Sequence, residues 1–255
     1  MVKVLKFPPW RLLLLLDHLV LFVDDLTKAI TRFESKGFTV TPGGTNGPTH
    51  NALIVFSNDT YIELIALRSS RARLMMRSLR YAGVLALGRW LKRDLQTRLR
   101  DWMSGPQGLI DLCLRGTELN EISHSSPLSG TGLTDPVQFK RHRPDGLVVQ
   151  WTLRGSNSRR QPFFIQDATP VDYRIPVGGV RIHPNGALGI SEVRTGELIE
   201  PSVSNVKIAH DPTLQSGSMI VTIVNDRDAS DHIHGPDFFN TDIHLLPKPS
   251  DHQKT

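Results

Sequence analysis

Blocks of hydrophobic positions and short polar breaks organise the first 67 residues of the chain. The run LLLLLDHLVLFVDDL, residues 12–26, is apolar except for a central Asp-His pair and ends at two aspartates, which predicts a buried strand. The segment Thr27–Lys36 then has helical spacing of its apolar residues and stops at Gly37. Three more apolar stretches follow, GFTVTPGG, THNALIVF and YIELIAL, separated by turn residues. The block therefore predicts the order strand, helix, strand, strand, strand.

The opening run has features that exclude a secretory or membrane-spanning role. Its apolar stretch is interrupted at Asp17, whereas a membrane helix needs roughly 18 or more apolar residues with few charges. No small-residue cleavage site follows it. The single cysteine, Cys113, excludes an internal disulfide framework and lies in a strand-like run, where we expect an inert core residue. We therefore expect a cytoplasmic protein.

The positive charge of the chain is concentrated in one segment. The net charge is +5, but residues 68–103 contain ten Lys or Arg against two Asp, which is +8 locally and leaves −3 for the remainder. Leucines recur in this segment at helical spacing, which predicts helices that pack on the sheet through a leucine stripe and keep their arginines in water. A membrane-surface or partner-binding helix is the alternative. Without an aromatic stacking platform or a base-reading motif, we expect no nucleic-acid partner.

Two later blocks resemble the first in the order of their elements. GLIDLCLRG opens the second, which continues with a polar connection, including a short helix expected at Glu118–Glu121, and three strands. VRIHPNGALGISEV opens a third, in which we interpret DHIH (231–234) as a solvated turn. Such repetition predicts an α+β fold of βαβββ modules. The predicted parts are a first module (12–67), a basic helical insertion (68–105), a second module (106–170), a third, degenerate module (178–248) and a tail (249–255).

His18 and Glu63 are polar residues within otherwise apolar strands. Because side chains alternate along a strand, His18 shares a face with Leu16 and Val20, while Asp17 should face the other way. Glu63 shares a face with Tyr61. Buried polar groups need partners, so the two residues are expected to meet. Two arrangements would give both residues a partner: a direct hydrogen bond between His18 and Glu63, or a metal ion bound between them.

The order of motifs resembles the glyoxalase-like branch of the vicinal oxygen chelate superfamily. The resemblance rests on LDHLVLFVDDL, AITRFESKGFTVTPGG, THNALIVF and TYIELIAL, and further along on GLIDLCLRG, QPFFIQDATP and HPNGALGI. It covers nearly the whole chain apart from the basic segment. It implies paired βαβββ modules whose curved mixed sheet surrounds a cup.

Many members of that superfamily hold a divalent metal, which stabilises an enolate or a similar anion. The resemblance places His18 and Glu63 at the two ligand positions of the first module and His183 where a further ligand could lie. Zinc, iron, manganese or nickel would suit such mixed nitrogen and oxygen donors. The second module departs from the pattern, because its residues at the corresponding positions are Asp111 and either Gln166 or Asp167.

The resemblance implies an enzyme that acts on a small oxygenated organic metabolite, of lyase, isomerase or dioxygenase type. His18 and Glu63 would be metal ligands, or an acid–base pair without a metal, and Asn51, Tyr61 and Gln166 would bind substrate. The alternative is a non-catalytic binding or resistance protein that uses the same cup. A complete ligand set would favour the enzyme, and an apolar cup with His18 tied to Glu63 would favour the binding protein. A homodimer is possible.

Overall fold

The computed structural model describes residues 14–85, 95–116, 133–143, 145–156, 158, 161–199 and 202–249. The first block forms β1 (Leu15–Phe22), α1 (Leu26–Ser35), β2 (Thr41–Asn46), β3 (Thr49–Val55) and β4 (Tyr61–Leu67). Helices α2 (Ser70–Tyr81) and α3 (Leu95–Ser104) precede β5 (Gly108–Arg115), β6 (Val137–His142), β7 (Val148–Arg154) and β8 (Phe163–Asp167). A short helix α4 (Val171–Arg174) and a 3-10 turn (Gly179–Arg181) follow. The last elements are β9 (Ala187–Thr195), β10 (Lys207–His210), β11 (Met219–Asn225), β12 (Asp231–Gly235), a 3-10 turn (Pro236–Phe238) and β13 (Thr241–Pro247).

The first eight strands close into a barrel. Its strand order is β1-β4-β3-β2-β6-β7-β8-β5. In each half the first strand runs parallel to the last, β1 with β4 and β5 with β8, and the remaining neighbours are antiparallel. The halves join where β1 pairs with β5 and where β2 meets β6. The predicted α+β fold around a curved sheet is confirmed, and the helix expected at Glu118–Glu121 lies outside the described residues.

Strand β1 is buried on both faces because it separates two hydrophobic cores. Leu19 and Leu21 face outward, into a core shared with α1 and the last five strands. Val20 and Phe22 face the barrel interior, where they pack with Trp102 and other residues of the second core. Helix α1 begins with Asp25 as N-cap, whose carboxylate accepts a hydrogen bond from Lys28 N. A strand enclosed in this way reads as a nearly continuous apolar run.

The last five strands form a separate sheet of order β10-β9-β11-β13-β12. Here the first strand, β9, is antiparallel to β11 instead of parallel to the last strand, and the described part of its connection to β10 contains no helix. This arrangement differs from the βαβββ order predicted for residues 178–248. The sheet packs through Ile190, Val221 and Ile243 against the outside of the first module, so its role is to cover α1 and β1.

The basic segment closes one mouth of the barrel. Leu95 and Trp102 of α3 are buried in the barrel core, as a packing stripe predicts. The expectation that the arginines stay in water is wrong for two of them. Arg73 is buried, with hydrogen bonds to the Asp24 carboxylate and to the backbone carbonyls of Met103 and Gly105 at the end of α3. Arg98 is buried against Asp111. Both arginines are buried because each guanidinium neutralises a carboxylate at the same end of the barrel.

None of the described helices is long and apolar enough to cross a membrane.

Candidate active site

The barrel interior holds a cavity of about 200 Å³. Its walls are mostly apolar, with several aromatic rings and a few polar groups, as is typical of small-molecule sites. Helix α3 contributes Leu99, Trp102 and Met103 to the lining, so the basic insertion is part of the site. The polar lining residues are Asn46, Thr49, His18, Tyr61, Glu63, Arg141 and Arg174, and the aromatic ones include Phe22, Phe139, Trp151 and Phe163.

A β-bulge in β1 places Asp17 beside His18. The pairing with β5 skips Asp17, because Leu16 is opposite Leu114 and His18 is opposite Cys113. A bulge redirects a side chain relative to strict alternation. The carboxylate of Asp17 therefore contacts the imidazole, with 2.7 Å between Oδ1 and Nδ1 of His18. The prediction that Asp17 and His18 face opposite sides is wrong for this reason.

Arg174 holds Asp17 in its ionised form. The guanidinium donates from Nη1 to Oδ1 at 2.7 Å and from Nη2 to Oδ2 at 2.9 Å. Burial alone would raise the pKa of Asp17, but the charge of Arg174 and the hydrogen bonds from His18 and Arg174 outweigh it and hold the pKa well below its ordinary value. Since Asp17 carries no proton, His18 Nδ1 is the donor of their hydrogen bond. The other ring nitrogen, Nε2, points toward the carboxylate of Glu63.

Glu63 and Tyr61 complete the polar wall that the first module supplies. Nε2 of His18 is 3.6 Å from Oε2 of Glu63, while Asn51 Nδ2 donates to the other oxygen, Oε1. The Tyr61 ring stacks on the imidazole with 4.6 Å between centroids, and its hydroxyl accepts a hydrogen bond from Arg174 Nη1 at 2.7 Å. The structure therefore brings four predicted site residues together, namely His18, Asn51, Tyr61 and Glu63.

Arg141 adds positive charge to the cavity. It is buried, and within the described part of the chain its Nε has no hydrogen-bond partner. The Oδ1 atom of Asn51 is likewise buried without a described partner. Burial lowers the pKa of Arg141, and the nearby Glu63 carboxylate opposes that change. A buried cation with an unused donor is suited to hold an anionic or carbonyl oxygen of a ligand.

The second module does not supply the acidic residues that the sequence suggested. Asp111 is bound by Arg98 through two hydrogen bonds and by Trp102 Nε1 at 2.8 Å. Asp167 is bound by Arg174, with 2.6 Å between Oδ1 and Nε. Gln166 does not line the cavity. Its neighbours Phe163 and Ile165 occupy the inward positions of β8 instead.

His183 lies outside the cavity. Its Nδ1 accepts a hydrogen bond from Thr39 N at 3.0 Å, and its Nε2 donates to Val55 O at 3.0 Å. The ring packs against Phe38 and Phe56. Both ring nitrogens therefore join the segment that precedes β9 to the first module. The structure does not bring His183 to His18.

The donor set can be tested against the metal that the superfamily resemblance implies. Asp17, His18 and Cys113 offer three potential ligand atoms within 4.8 Å of one another. Both Asp17 oxygens are taken by Arg174, however, and burial raises the pKa of the Cys113 thiol well above its ordinary value, which disfavours the thiolate that binds metals. His18 and Glu63 then remain, and two donors are fewer than the three protein ligands of a catalytic zinc site. The described cavity residues do not fit a tightly held catalytic metal.

Sequence comparison identifies the family. The model of a glyoxalase-like domain matches residues 16–202. The chain therefore belongs to the glyoxalase-like domain family, as the motif order predicted. No curated protein sequence matches it.

Solved structures match this chain over most of its length. A hypothetical protein of Staphylococcus aureus has a TM-score of 0.63 and 16% identity, and the match covers 92% of this chain and 100% of that one. The 2,3-dioxygenase LapB of Pseudomonas sp. KL28 has a TM-score of 0.42 and 7% identity, with 94% and 95% covered. The first of these likenesses supports the barrel fold.

Sequence reasoning missed three residues of the site. Asp17 was assigned to the wrong face because a bulge leaves no signal in the alternation of residue types. Arg141 and Arg174 lie in polar stretches that resemble ordinary surface turns, and neither has a motif around it. Only the closing of the barrel brings these two guanidinium groups to the cavity.

Proposed function

We propose that this protein is a metal-independent enzyme of the glyoxalase fold that moves a proton on a small oxygenated molecule, as a lyase or isomerase. The observation that carries the proposal is the Asp17–His18 pair in the cavity lining, in which the second ring nitrogen of His18, Nε2, is 3.6 Å from Glu63 Oε2. A ring-cleaving dioxygenase needs a redox metal, for which the donor set is too small. Proton transfer needs only groups that line this cavity.

The chemical step follows from the positions of His18 and Arg141. Nε2 of His18 takes a proton from a carbon next to a carbonyl, and the electron pair of the C–H bond moves to the carbonyl oxygen as an enolate. The guanidinium of Arg141 stabilises that negative charge. In an isomerase acting on a 2-hydroxy carbonyl compound, the hydroxyl proton of the enediolate moves to the former carbonyl oxygen, the imidazolium protonates the former carbonyl carbon, and a new C=O bond forms at the carbon that carried the hydroxyl. In a lyase, the electron pair of the enolate re-forms the C=O bond, the bond from the β carbon to the leaving group breaks, and the leaving group takes the proton from the imidazolium. Asp17 stabilises the imidazolium and fixes its orientation.

The walls of the cavity restrict the substrate to a single-ring or similar small molecule. A cavity of about 150 Å³ is known to accommodate benzene, and this one is about 200 Å³. Phe139 and Trp151 stack with 6.1 Å between centroids and provide a flat apolar wall. An aromatic or short aliphatic body would lie against that wall while its carbonyl or carboxylate oxygen reaches Arg141.

Deuterium incorporation tests the proposal directly. The full chain is incubated in D₂O with single-ring 2-hydroxy and 2-oxo carbonyl compounds, and loss of the proton signal next to the carbonyl is followed by NMR. The wild type should exchange at least one compound, and His18→Gln should slow that exchange by about 10²–10⁴-fold. The matched control is His210→Gln, on an exposed histidine of β10. Equal rates for wild type and His18→Gln would rule out the assigned base.

A binding protein is the second candidate, favoured by the apolar walls and by the incomplete set of metal ligands. It predicts ligand-induced chemical-shift changes at cavity residues with no exchange in any compound tested. Replacing Trp151 by Ala would then weaken binding as much as replacing His18. The expected cytoplasmic location and the possible homodimer remain predictions, which cell fractionation and sedimentation would test.

A further inference from the structure

A cluster of three histidines and one aspartate lies on the last sheet, apart from the barrel cavity. The segment DHIH, which the sequence suggested to be a solvated turn, is strand β12. It pairs antiparallel with β13, so that His232 is opposite His244 and His234 is opposite Asp242. Between them, Ile233 and Ile243 point to the other face, where both are fully buried. The four polar side chains therefore share the outer face of an edge pair.

The side chains of this cluster converge on a single oxygen atom. Nε2 of His232 is 2.7 Å from Asp242 Oδ1, and Nε2 of His244 is 3.0 Å from the same atom. The ring of His232 also lies against those of His234 and His244, with centroid separations of 4.5 and 4.3 Å. Within the described ranges, no Lys or Arg side chain pairs with Asp242. Imidazoles are thus its only described partners.

We propose that His232, Asp242 and His244 bind a divalent transition-metal ion, with zinc as the representative ion. Two imidazole nitrogens and one carboxylate oxygen form a donor set that zinc and other late first-row ions take, with positions left for water or a further ligand. Metal-to-ligand distances of about 2.0–2.2 Å require donor atoms roughly 3.3 Å apart in a tetrahedral site. The observed separations of 2.7 and 3.0 Å need only a small opening.

The surroundings make that opening easy. The side chains of His232, Asp242 and His244 are 48%, 37% and 30% exposed, so they rotate into solvent without disturbing the core. The strand register keeps their backbones in place, because residues opposite each other in an antiparallel pair have Cβ atoms about 5 Å apart. His234 stacks on His232, but it is not among the residues whose donor atoms lie within 4.8 Å of one another.

Binding at this position would fasten an edge strand. Strand β12 pairs only with β13 in its sheet, and an edge strand is held by one row of hydrogen bonds. The proposed ion takes one ligand from β12 and two from β13, so it links the two strands. The site is separate from the barrel cavity and does not depend on the function proposed for it.

Zinc titration of the full chain tests this site. Protein without an affinity tag is stripped with EDTA, dialysed and titrated with ZnCl₂ by calorimetry, and its melting temperature is recorded with and without zinc. The wild type should bind one ion and melt at a higher temperature with zinc. His244→Ala and Asp242→Asn should each weaken the zinc affinity by at least about tenfold. Loss of a residue that only hydrogen-bonds to a metal ligand already weakens binding by about that factor, and loss of a ligand itself should weaken it more.

Two controls separate this cluster from other histidines. His210→Ala removes an exposed histidine of the same sheet, and His18→Ala removes the cavity histidine; both should keep the wild-type zinc affinity. The absence of saturable binding would overturn the proposal. So would binding that His244→Ala leaves intact, or binding that His18→Ala abolishes.

Discussion

The two halves of the barrel share one strand arrangement but differ in the chemistry of their inward residues. In the first module, β1 and β4 present His18, Tyr61 and Glu63 to the cavity. In the second, β5 and β8 place Cys113 opposite His18 and Phe163 and Ile165 along the wall. The two halves therefore have the same strand arrangement but contribute different kinds of side chain to the cavity. One half carries the residues that we propose to transfer the proton, and the other supplies apolar walls and the guanidinium of Arg141.

The carboxylates of the second half are bound by buried arginines and are therefore not available to bind a metal or a substrate. Asp111 is neutralised by Arg98 and Asp167 by Arg174, and both arginines are buried. A buried carboxylate needs such a partner. Arg174 also binds Asp17, so one guanidinium joins the acidic residues of both modules.

The largest expected effect comes from removing that link. Arg174→Met removes the cation that binds both Asp17 and Asp167 and leaves Asp17 with the more distant Arg115, whose Nη1 is 3.5 Å from Oδ2. Loss of one partner of a buried ion pair typically costs about 3–5 kcal/mol of unfolding free energy. Urea unfolding measures the change. The control is Lys207→Met, since the exposed Lys207 pairs with Glu192 at the surface and its loss should cost about 1 kcal/mol or less. Equal losses for the two variants would mean that Arg174 does not join the modules.

The second prediction compares substitutions at His18 and Cys113, which lie opposite each other on β1 and β5. If the first module carries the base, His18→Gln lowers the deuterium-exchange rate by about 10²–10⁴-fold, whereas Cys113→Ala changes it by less than about tenfold. Both variants should keep the far-ultraviolet circular dichroism of the wild type. A large rate loss in Cys113→Ala would show that both halves take part in the chemistry.

The third effect is the pH dependence of stability that Asp17 causes. Its folded-state pKa is lowered, so its stabilisation is fully present above the unfolded value of about 3.9 and is lost as pH falls below it. One proton contributes a slope of about 1.4 kcal/mol per pH unit. Urea unfolding at several pH values between 5 and 2 should show a steeper decline for the wild type than for Asp17→Asn. Parallel curves would contradict the coupling.

The smallest effect concerns His183, which lies outside both halves of the cavity. His183→Gln should leave the exchange rate unchanged and lower stability by about 1–2 kcal/mol through lost hydrogen bonds. Burial lowers the His183 pKa, and its bond to Val55 opposes that change. Its stabilisation is therefore present above the unfolded value of about 6.5 and declines as pH falls below it. A loss of deuterium-exchange activity in His183→Gln would show that His183 contributes to the active site.

The sequence by itself determined the modules and half of the site. Periodicity located β1, α1 and the three strands after it within a few residues, because an apolar run buried on both faces and a helix capped by Asp25 and stopped by Gly37 are local patterns. It also selected His18 and Glu63, since polar residues in apolar strands need partners that lie close by, and it suggested Asn51 and Tyr61 as substrate-binding residues.

Only the tertiary structure decided how the rest of the site forms. The bulge at Asp17, the approach of Arg141 and Arg174, and the placing of α3 over the barrel mouth all depend on contacts between residues far apart in the chain. His183 shows the same limit, because its motif matched a ligand position while its ring nitrogens were taken by Thr39 and Val55. Residue types report what a position can do, but strand pairing and packing decide which groups it meets.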